Sequence, residues 1–477
     1  MSNMTRRKFI KKSVASSALF STFTISGTKA SGRVIGANDT IRVGVAGINN
    51  RGRAHLDAYT DIDKVDVAYL IDPDSRLFKS RSEMITSKGG KAPTCVQDPR
   101  EALDDKNLDV ISIATPNHWH SLLTIWACQA GKDVYVEKPL SHNISEGRSA
   151  VEAARKNQRV VQHGTQQRSS QTRADEIAAV HSGKYGKLLV SKGYCCKPRW
   201  SIGQKPNTKP PAELDFDVWL GPAAEQAYHE NLVHYNWHWF WPTGNGDIGN
   251  QGVHEMDIAR WAVQGATLPK RVWSLGGRFA YDDQGQTPNT QMAVFDYGDT
   301  QVVFEVRGLV GKQTELPDVI GNEYYTTEGM IKEGTFHPLG GGSPEAISGP
   351  KIAIGSGGPF ANFINVVRSR EQQKLNADVL EGHYSSTLCH LANISYRLGE
   401  QVPFDRKAKT FGDDRLLYET FMNLQENLTT AGVPLEETTY QLGRTLEFDA
   451  ESEQFVDSEE ANRLLTRKYR EPFVVPE

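Results

Sequence analysis

Ile41-Arg42-Val43-Gly44-Val45-Ala46-Gly47-Ile48-Asn49-Asn50-Arg51-Gly52-Arg53 is the stretch that decides the fold. Its first six residues read as a buried strand. The glycine-bounded turn Gly47-x-Asn49-x-x-Gly52 follows, and the amphipathic run Arg53–Thr60 reads as a helix. A strand feeding such a turn and then a helix aims backbone N–H groups and a positive helix end at a pyrophosphate. Gly47, Asn49, Asn50, Arg51 and Gly52 are therefore the expected phosphate contacts. Asn49 stands where the usual fingerprint has its second glycine. Asparagine tolerates positive φ better than most residues, so the turn survives with less clearance.

Working outward, apolar runs recur at Val65–Ile71, Val110–Ala114 and Asp133–Val136, with amphipathic segments Arg76–Lys88, Pro99–Leu103, His118–Ala130 and Ser145–Asn157 between and after them. Repeated βα units imply right-handed crossovers and a doubly wound parallel sheet over residues 38–161. The second run ends in Asp72, twenty residues past Gly52. A carboxylate there accepts both ribose hydroxyls and repels a 2′-phosphate, which favours NAD over NADP. Thr115-Pro116-Asn117-His118-Trp119-His120 follows the next strand at the edge where open α/β sheets bind ligands. Thr115, Asn117 and His120 join the expected cofactor contacts. A structural histidine in the first turn of a helix is the alternative for His120.

After Gln162 the texture changes. Lys187–Tyr194, Arg271–Phe279, Gln291–Tyr297 and Thr300–Val306 alternate like strands of an open antiparallel sheet, and Gly298-Asp299 reads as a hairpin turn. Residues 162–400 form the second α/β domain, with a large, mainly antiparallel sheet. One face of it needs a cover, either the first domain or another subunit, so a homodimer or homotetramer is expected. Lys197–Pro211 and Pro338–Gly358 read as long surface loops, which over a cofactor domain often carry substrate contacts. Helices are expected at Ala361–Ser369 and Ser385–Leu398. Residues 401–477 read as an extension with short, charged helical pieces that packs on both domains.

Glu137-Lys138-Pro139 ends the strand Asp133–Val136, and the proline narrows the backbone choices of Lys138. A lysine facing a positively charged nicotinamide ring has its ammonium form disfavoured, which suits it to exchange a proton with a sugar hydroxyl. Aromatic residues crowd Tyr235, Trp237, Trp239, Phe240 and Trp241. Such faces pack on the C–H faces of sugar rings, and Trp237 is the expected substrate contact; core packing is the competing role for most of the others. His234 and His238 are embedded in this cluster without metal-site context, and no metal is expected.

Together these motifs resemble the Gfo/Idh/MocA oxidoreductase family over roughly residues 40–400, with Glu-Lys-Pro at this spacing as the most specific element. The resemblance implies a Rossmann domain followed by an α/β domain, and NAD(P)-linked redox chemistry on sugar, inositol or polyol hydroxyls. It implies that Lys138 sits beside the reacting hydroxyl and that Glu137 shapes the nicotinamide pocket. It assigns Arg168, after the strand that follows Glu137-Lys138-Pro139, as a substrate-binding candidate. Gly246–Asp257 resembles the family's helix bearing an acid and a histidine four residues apart. His254 matches, as a catalytic and substrate-binding residue; position 250 is Asn rather than the frequent Asp. An amide orients a hydroxyl but takes no proton, which shifts the proton work to His254 and Lys138. A satisfied buried histidine is the plainer reading of His254.

At 477 residues, with 38% hydrophobic and 23% charged residues, two globular domains are expected. A net charge of −4 gives no reason to invoke nucleic acid or an anionic membrane. Thr5-Arg6-Arg7-Lys8-Phe9-Ile10-Lys11, the modestly apolar Val14–Ile25 and the small residues at Ala30-Ser31 resemble a twin-arginine export signal over residues 1–30. That stretch is too short and too rich in Ser and Thr for stable membrane insertion, and a periplasmic destination is expected. The chain thus reads as an exported NAD-dependent oxidoreductase acting on a sugar or glycoside. Two rivals stand beside it: a glycosidase that oxidises its substrate transiently with tightly bound NAD, and a non-catalytic sugar-binding protein.

Overall fold

The computed structural model describes residues 39–404 and 411–476; the expected export signal lies outside the described residues. The first domain holds a parallel sheet in the order β3-β2-β1-β4-β5-β6. Its strands are β1 (Ile41–Ala46), β2 (Val65–Ile71), β3 (Thr94–Val96), β4 (Val110–Ile113), β5 (Asp133–Val136) and β6 (Val161–His163). The interior strands β4 and β5 are buried along their whole length, as expected of a sheet covered on both faces. Helices Asn117–Gln129 and Ile144–Lys156 cover one face through Leu122, Trp126, Ala150 and Val151. The other face is covered by Asn50–Thr60, by Phe78–Ser87 and by a helix from far along the chain, Gly358–Ser369, through Phe363, Ile364 and Val367. The expected helix Arg76–Lys88 is split by a short 3₁₀ turn at Ser75–Leu77, where the Asp74 carboxylate accepts from the Arg76 N–H. The sequence reading missed β3, a three-residue strand whose side chains are largely exposed and so carry little apolar signal.

The strand order reverses direction between β1 and β4, so a crevice opens beyond their carboxyl ends. Gly47 follows one of these strands and Thr115 follows the other, which is why both motifs meet at one place.

The second domain carries a large sheet in the order β14-β13-β12-β11-β7-β10-β9-β8-β16-β15. The strands are β7 (Leu188–Cys196), β8 (Arg271–Gly277), β9 (Thr290–Asp296), β10 (Gln301–Arg307), β11 (Val319–Thr326), β12 (Gly329–Lys332), β13 (Thr335–Pro338), β14 (Glu345–Ala346), β15 (Glu400–Pro403) and β16 (Thr439–Leu442). Neighbours along it pair antiparallel except β7 with β10. The predicted hairpin turn is present: Tyr297 N–H donates to Thr300 O at 3.0 Å around Gly298, whose φ is +97°. Strands β11 to β14 escaped the sequence reading because charges and glycines interrupt their alternation, and β14 lies inside the stretch expected to be loop.

Helices Val253–Ala262 and Val379–Arg397 cover one face of this sheet through Met256, Ala259, Leu388 and Leu391. On the other face a helix of the carboxyl-terminal region, Arg415–Thr430, packs Leu417, Phe421, Leu424 and Leu428 against Trp273, Leu275, Met292 and Val294. This corrects two expectations. The region after Phe404 holds a full-length amphipathic helix and a strand of the large sheet, not short helical pieces alone. Part of the face assigned to another domain or subunit is covered by the chain itself. Farther on, Phe473 and Val475 insert into the core of the first domain.

Candidate active site

A cavity of about 370 Å³ lies at the crevice, lined from the first domain by Gly47, Asn49, Asn50, Arg51, Asp72, Thr115, Asn117, His120, Glu137 and Lys138. The second domain contributes Lys197, Arg199, Tyr235, Trp237, Asn250 and Gln251.

The turn is as tight as its glycines imply. Gly47 has φ +77°, and a Cβ there would stand 2.6 Å from the Ala114 carbonyl. A Cβ on Gly52 would stand 1.7 Å from Gly47 O, so Gly52 serves the turn from behind rather than lining the cavity. Asn49 has φ −74°, so the left-handed residue is Gly47 and the tolerance expected of Asn49 is not used. The helix beginning at Asn50 has no side-chain cap, which leaves its first amides available to an anion. Asp72 is buried, and its carboxylate accepts from Ile48 N–H at 2.9 Å and Asp74 N–H at 3.0 Å. Burial pushes its pKa up to about 6 against those two bonds. A narrow glycine cradle, uncapped helix amides and an acid at the end of β2 together suit a dinucleotide.

Glu137 works as a hub. Its Oε1 accepts from Arg51 Nε at 2.8 Å and Gln166 Nε2 at 2.9 Å, and lies 3.1 Å from His55 Nε2. Burial opposes its charge, but the His55 contact and the Arg51 charge win and hold its pKa well below the usual range. Glu137 thereby fixes Arg51 beside the turn. Lys138 donates from Nζ to the Asn250 backbone carbonyl at 2.6 Å, across the domain boundary. Burial lowers its pKa, and the Arg51 charge adds to that, against Glu137, Asp247 and Glu255.

His120 sets its ring nitrogens 2.6 Å from Pro139 O and 2.8 Å from Thr115 O. It ties the loops after β4 and β5 together, the structural role given as its alternative, while still forming cavity wall. Asn117 likewise bridges the domains, donating to Asn245 Oδ1 at 3.1 Å.

The expected single helix carrying positions 250 and 254 is interrupted: Gly246–Asn250 ends, Gln251-Gly252 intervene, and Val253–Ala262 begins. Asn250 lines the cavity, and His254, half-buried, is not among its lining residues. Burial, then the nearby Lys138 charge, lowers the His254 pKa to about 3, so its ring is neutral. The ring makes no hydrogen bond among the described residues, which argues against a merely satisfied core histidine. Arg168 is not part of the cavity. Its Nε donates to Asp257 at 2.8 Å, Glu381 lies 3.2 Å away, and its guanidinium stacks over Trp261.

The sequence reading missed Lys197, Arg199 and Gln251 as cavity residues. The signal available was the Pro- and Gly-rich loop that begins at Lys197, flagged as a place for substrate contacts without naming the side chains. Among the described residues no group of three or more His, Cys, Asp and Glu side chains is placed to hold a metal, and no helix is long and apolar enough to cross a membrane.

Residues 41–165 match the Gfo/Idh/MocA model for an oxidoreductase-family NAD-binding Rossmann fold, and residues 180–278 match its C-terminal alpha/beta domain. Both domain models of the Gfo/Idh/MocA oxidoreductase family thus match this chain in order, together over a little under half of its length. Similar curated proteins include a glycosyl hydrolase family 109 protein of Shewanella pealeana, 25% identical over 37% of this chain and 40% of that protein. Another is scyllo-inositol 2-dehydrogenase (NAD(+)) of Bacillus subtilis, 28% identical over 32% of this chain and 44% of that protein. The chain spans less than half the length of these relatives. Among solved structures, the WlbA dehydrogenase of Bordetella pertussis in complex with NADH and UDP-GlcNAcA shares the fold at TM-score 0.55, with 19% identity over 77% of this chain and all of that one. Levoglucosan dehydrogenase in complex with NADH does so at TM-score 0.55, with 17% identity over 74% of this chain and 96% of that one.

Proposed function

We propose that this protein is an NAD-dependent oxidoreductase acting on a hydroxyl-bearing carbon of a sugar or glycoside. The observation that carries the reading is Lys138, a depressed-pKa amine in the same cavity as the dinucleotide turn, held by the Asn250 carbonyl. Bound nicotinamide supplies the hydride acceptor or donor. The chain's own residues do the rest. Neutral Lys138 takes the hydroxyl proton during oxidation, and its ammonium returns one during reduction. Asn250 and Trp237 orient the sugar, and neutral His254, whose lowered pKa makes it a poor base, serves as a hydrogen-bonding group to the substrate rather than as the proton acceptor. The turn residues with Asp72 hold the dinucleotide, and Glu137 keeps Arg51 at its edge. The names of the inositol dehydrogenase and of the NADH-bound solved structures support the same chemistry.

The test is a spectrum of the purified protein with NAD and a panel of sugars. NADH should form, and NADH fluorescence should report binding. A protein that binds no NADH would sink the proposal. The family 109 relatives keep one further outcome in view: release of aglycone from a glycoside without net NADH would select hydrolysis through transient oxidation. We further propose export through the twin-arginine route, supported by Arg6-Arg7 and the residues after them. Replacing both arginines by lysine should leave the protein in the cytoplasmic fraction; unchanged export would refute that route.

A further inference from the structure

We propose that the sugar handled here carries a carboxylate, and that Lys197 and Arg199 receive it. This rests on the redox reading above and narrows its substrate class.

On the first-domain side, the cavity's Arg51 is matched by Glu137 at 2.8 Å. That side also holds the glycine turn and the uncapped helix amides, which are the groups suited to the cofactor's phosphates. The second-domain side is different. Lys197 and Arg199 follow directly on β7 and share the wall with Tyr235, Trp237, Asn250 and Gln251. Arg199 spends its Nε on Asp247 at 2.9 Å. Its Nη1 reaches only the neighbouring Pro198 carbonyl at 3.4 Å. Its Nη2 has no hydrogen-bond partner among the described residues. Lys197 is half-buried and has no acidic partner among the described residues. Lys138, close enough to feel the Asp247 charge, is bonded to a neutral carbonyl. On this wall two cations, Lys197 and Arg199, therefore stand against one carboxylate, that of Asp247, which pairs with Arg199 alone.

A neutral sugar would leave this excess charge facing water in a confined space. A carboxylate would pair with it. The remaining edge of the Arg199 guanidinium matches the two oxygens of a carboxylate, and the Lys197 ammonium supplies a second charged donor. Asp247 holds Arg199 in place for this, since its Oδ1 fixes the Nε that the sugar does not need.

The experiment compares glucuronate with glucose, and galacturonate with galactose, on the full protein with NAD. Turnover is read as NADH formation, and binding as the change each sugar makes in the fluorescence of protein-bound NADH. The acidic member of each pair should be preferred at least tenfold in kcat/KM, and its binding should weaken as salt is raised. Lys197→Gln should cut the acid-over-neutral preference about tenfold, the loss of one charged contact. Arg199→Gln should cut it further; should its loss of the Asp247 pair unfold the protein, Lys197, which has no acidic partner among the described residues, still decides. Bound NADH with equal or better response to the neutral sugars overturns the inference while leaving the redox reading intact. So does a Lys197→Gln protein that loses NADH affinity and keeps its uronate preference, because the lysine then serves the cofactor's phosphates. Absence of NADH binding in the native protein overturns the redox reading itself.

Discussion

Lys138→Met removes the amine and keeps most of the stem. Two costs follow from its surroundings. The Asn250 carbonyl, now bonded at 2.6 Å, loses its donor. An unmet buried acceptor costs about 1–3 kcal/mol, and water in the cavity can reach this one, so the low end, about 1 kcal/mol, applies. For a chain of 477 residues, unfolding as one unit, that lowers Tm by only about 1 °C. The second cost is chemical. Without a proton acceptor beside the hydroxyl, kcat should fall by about 10²–10⁴. The native rate of sugar oxidation should also rise with pH through the lysine's lowered pKa, because oxidation needs the free amine, and that limb should vanish in the variant. Steady-state NADH formation across pH, fluorescence titration with NADH and a melting curve give the three readings. A variant that keeps more than about a third of native kcat, or that retains the rising limb, would refute the assignment of Lys138 as the proton partner.

Gly47→Ala places a Cβ 2.6 Å from the Ala114 carbonyl at φ +77°. The left-handed backbone alone costs roughly 1–2 kcal/mol, so melting temperature and NADH affinity should both drop, and an unchanged affinity would contradict the cradle. Asp72 behaves as an acid whose folded pKa is raised from 3.8 to about 6, so it stabilises the apoprotein most when protonated, below pH 3.8, and that contribution fades as pH rises through 6. In Asp72→Asn that share of the pH dependence of Tm should disappear, and NADH should bind more weakly at pH 7. Arg168→Ala leaves Asp257 buried without its partner at 2.8 Å. It should cost about 3–5 kcal/mol of stability, with KM changed little in protein that still folds, and a KM-specific defect would return Arg168 to the substrate site. The protein is expected to run as a dimer or tetramer by light scattering; a monomer would mean that helix Arg415–Thr430 and its neighbours suffice to cover the large sheet.

Much of the first domain was legible because its signals are local. Apolar runs, glycine at fixed offsets, and Asp72 twenty residues past Gly52 describe a unit that closes on itself within about a hundred residues. Most residues expected to hold the dinucleotide line one cavity for that reason. The exception, Gly52, acts by the side chain it lacks. Legibility fell in the second domain, where strands β11 to β14 are short and broken by charge, and where a period-2 pattern gives no account of what covers each face. Arg168 illustrates the limit: its position after β6 suggested substrate, but Asp257 and Glu381 are remote in sequence and their capture of the guanidinium is a tertiary event.

By itself the sequence determined the strand–turn–helix cradle, the acid at the end of β2 and the placement of Lys138 at a strand end, since backbone geometry and near neighbours dictate each. Only the tertiary structure decided that Lys138 rests on the Asn250 carbonyl, that Lys197 and Arg199 complete the far wall, and that a carboxyl-terminal helix covers the large sheet. Those outcomes depend on how two domains and a distant tail pack, where free energy is set by burial and charge pairing between residues that no local pattern brings together.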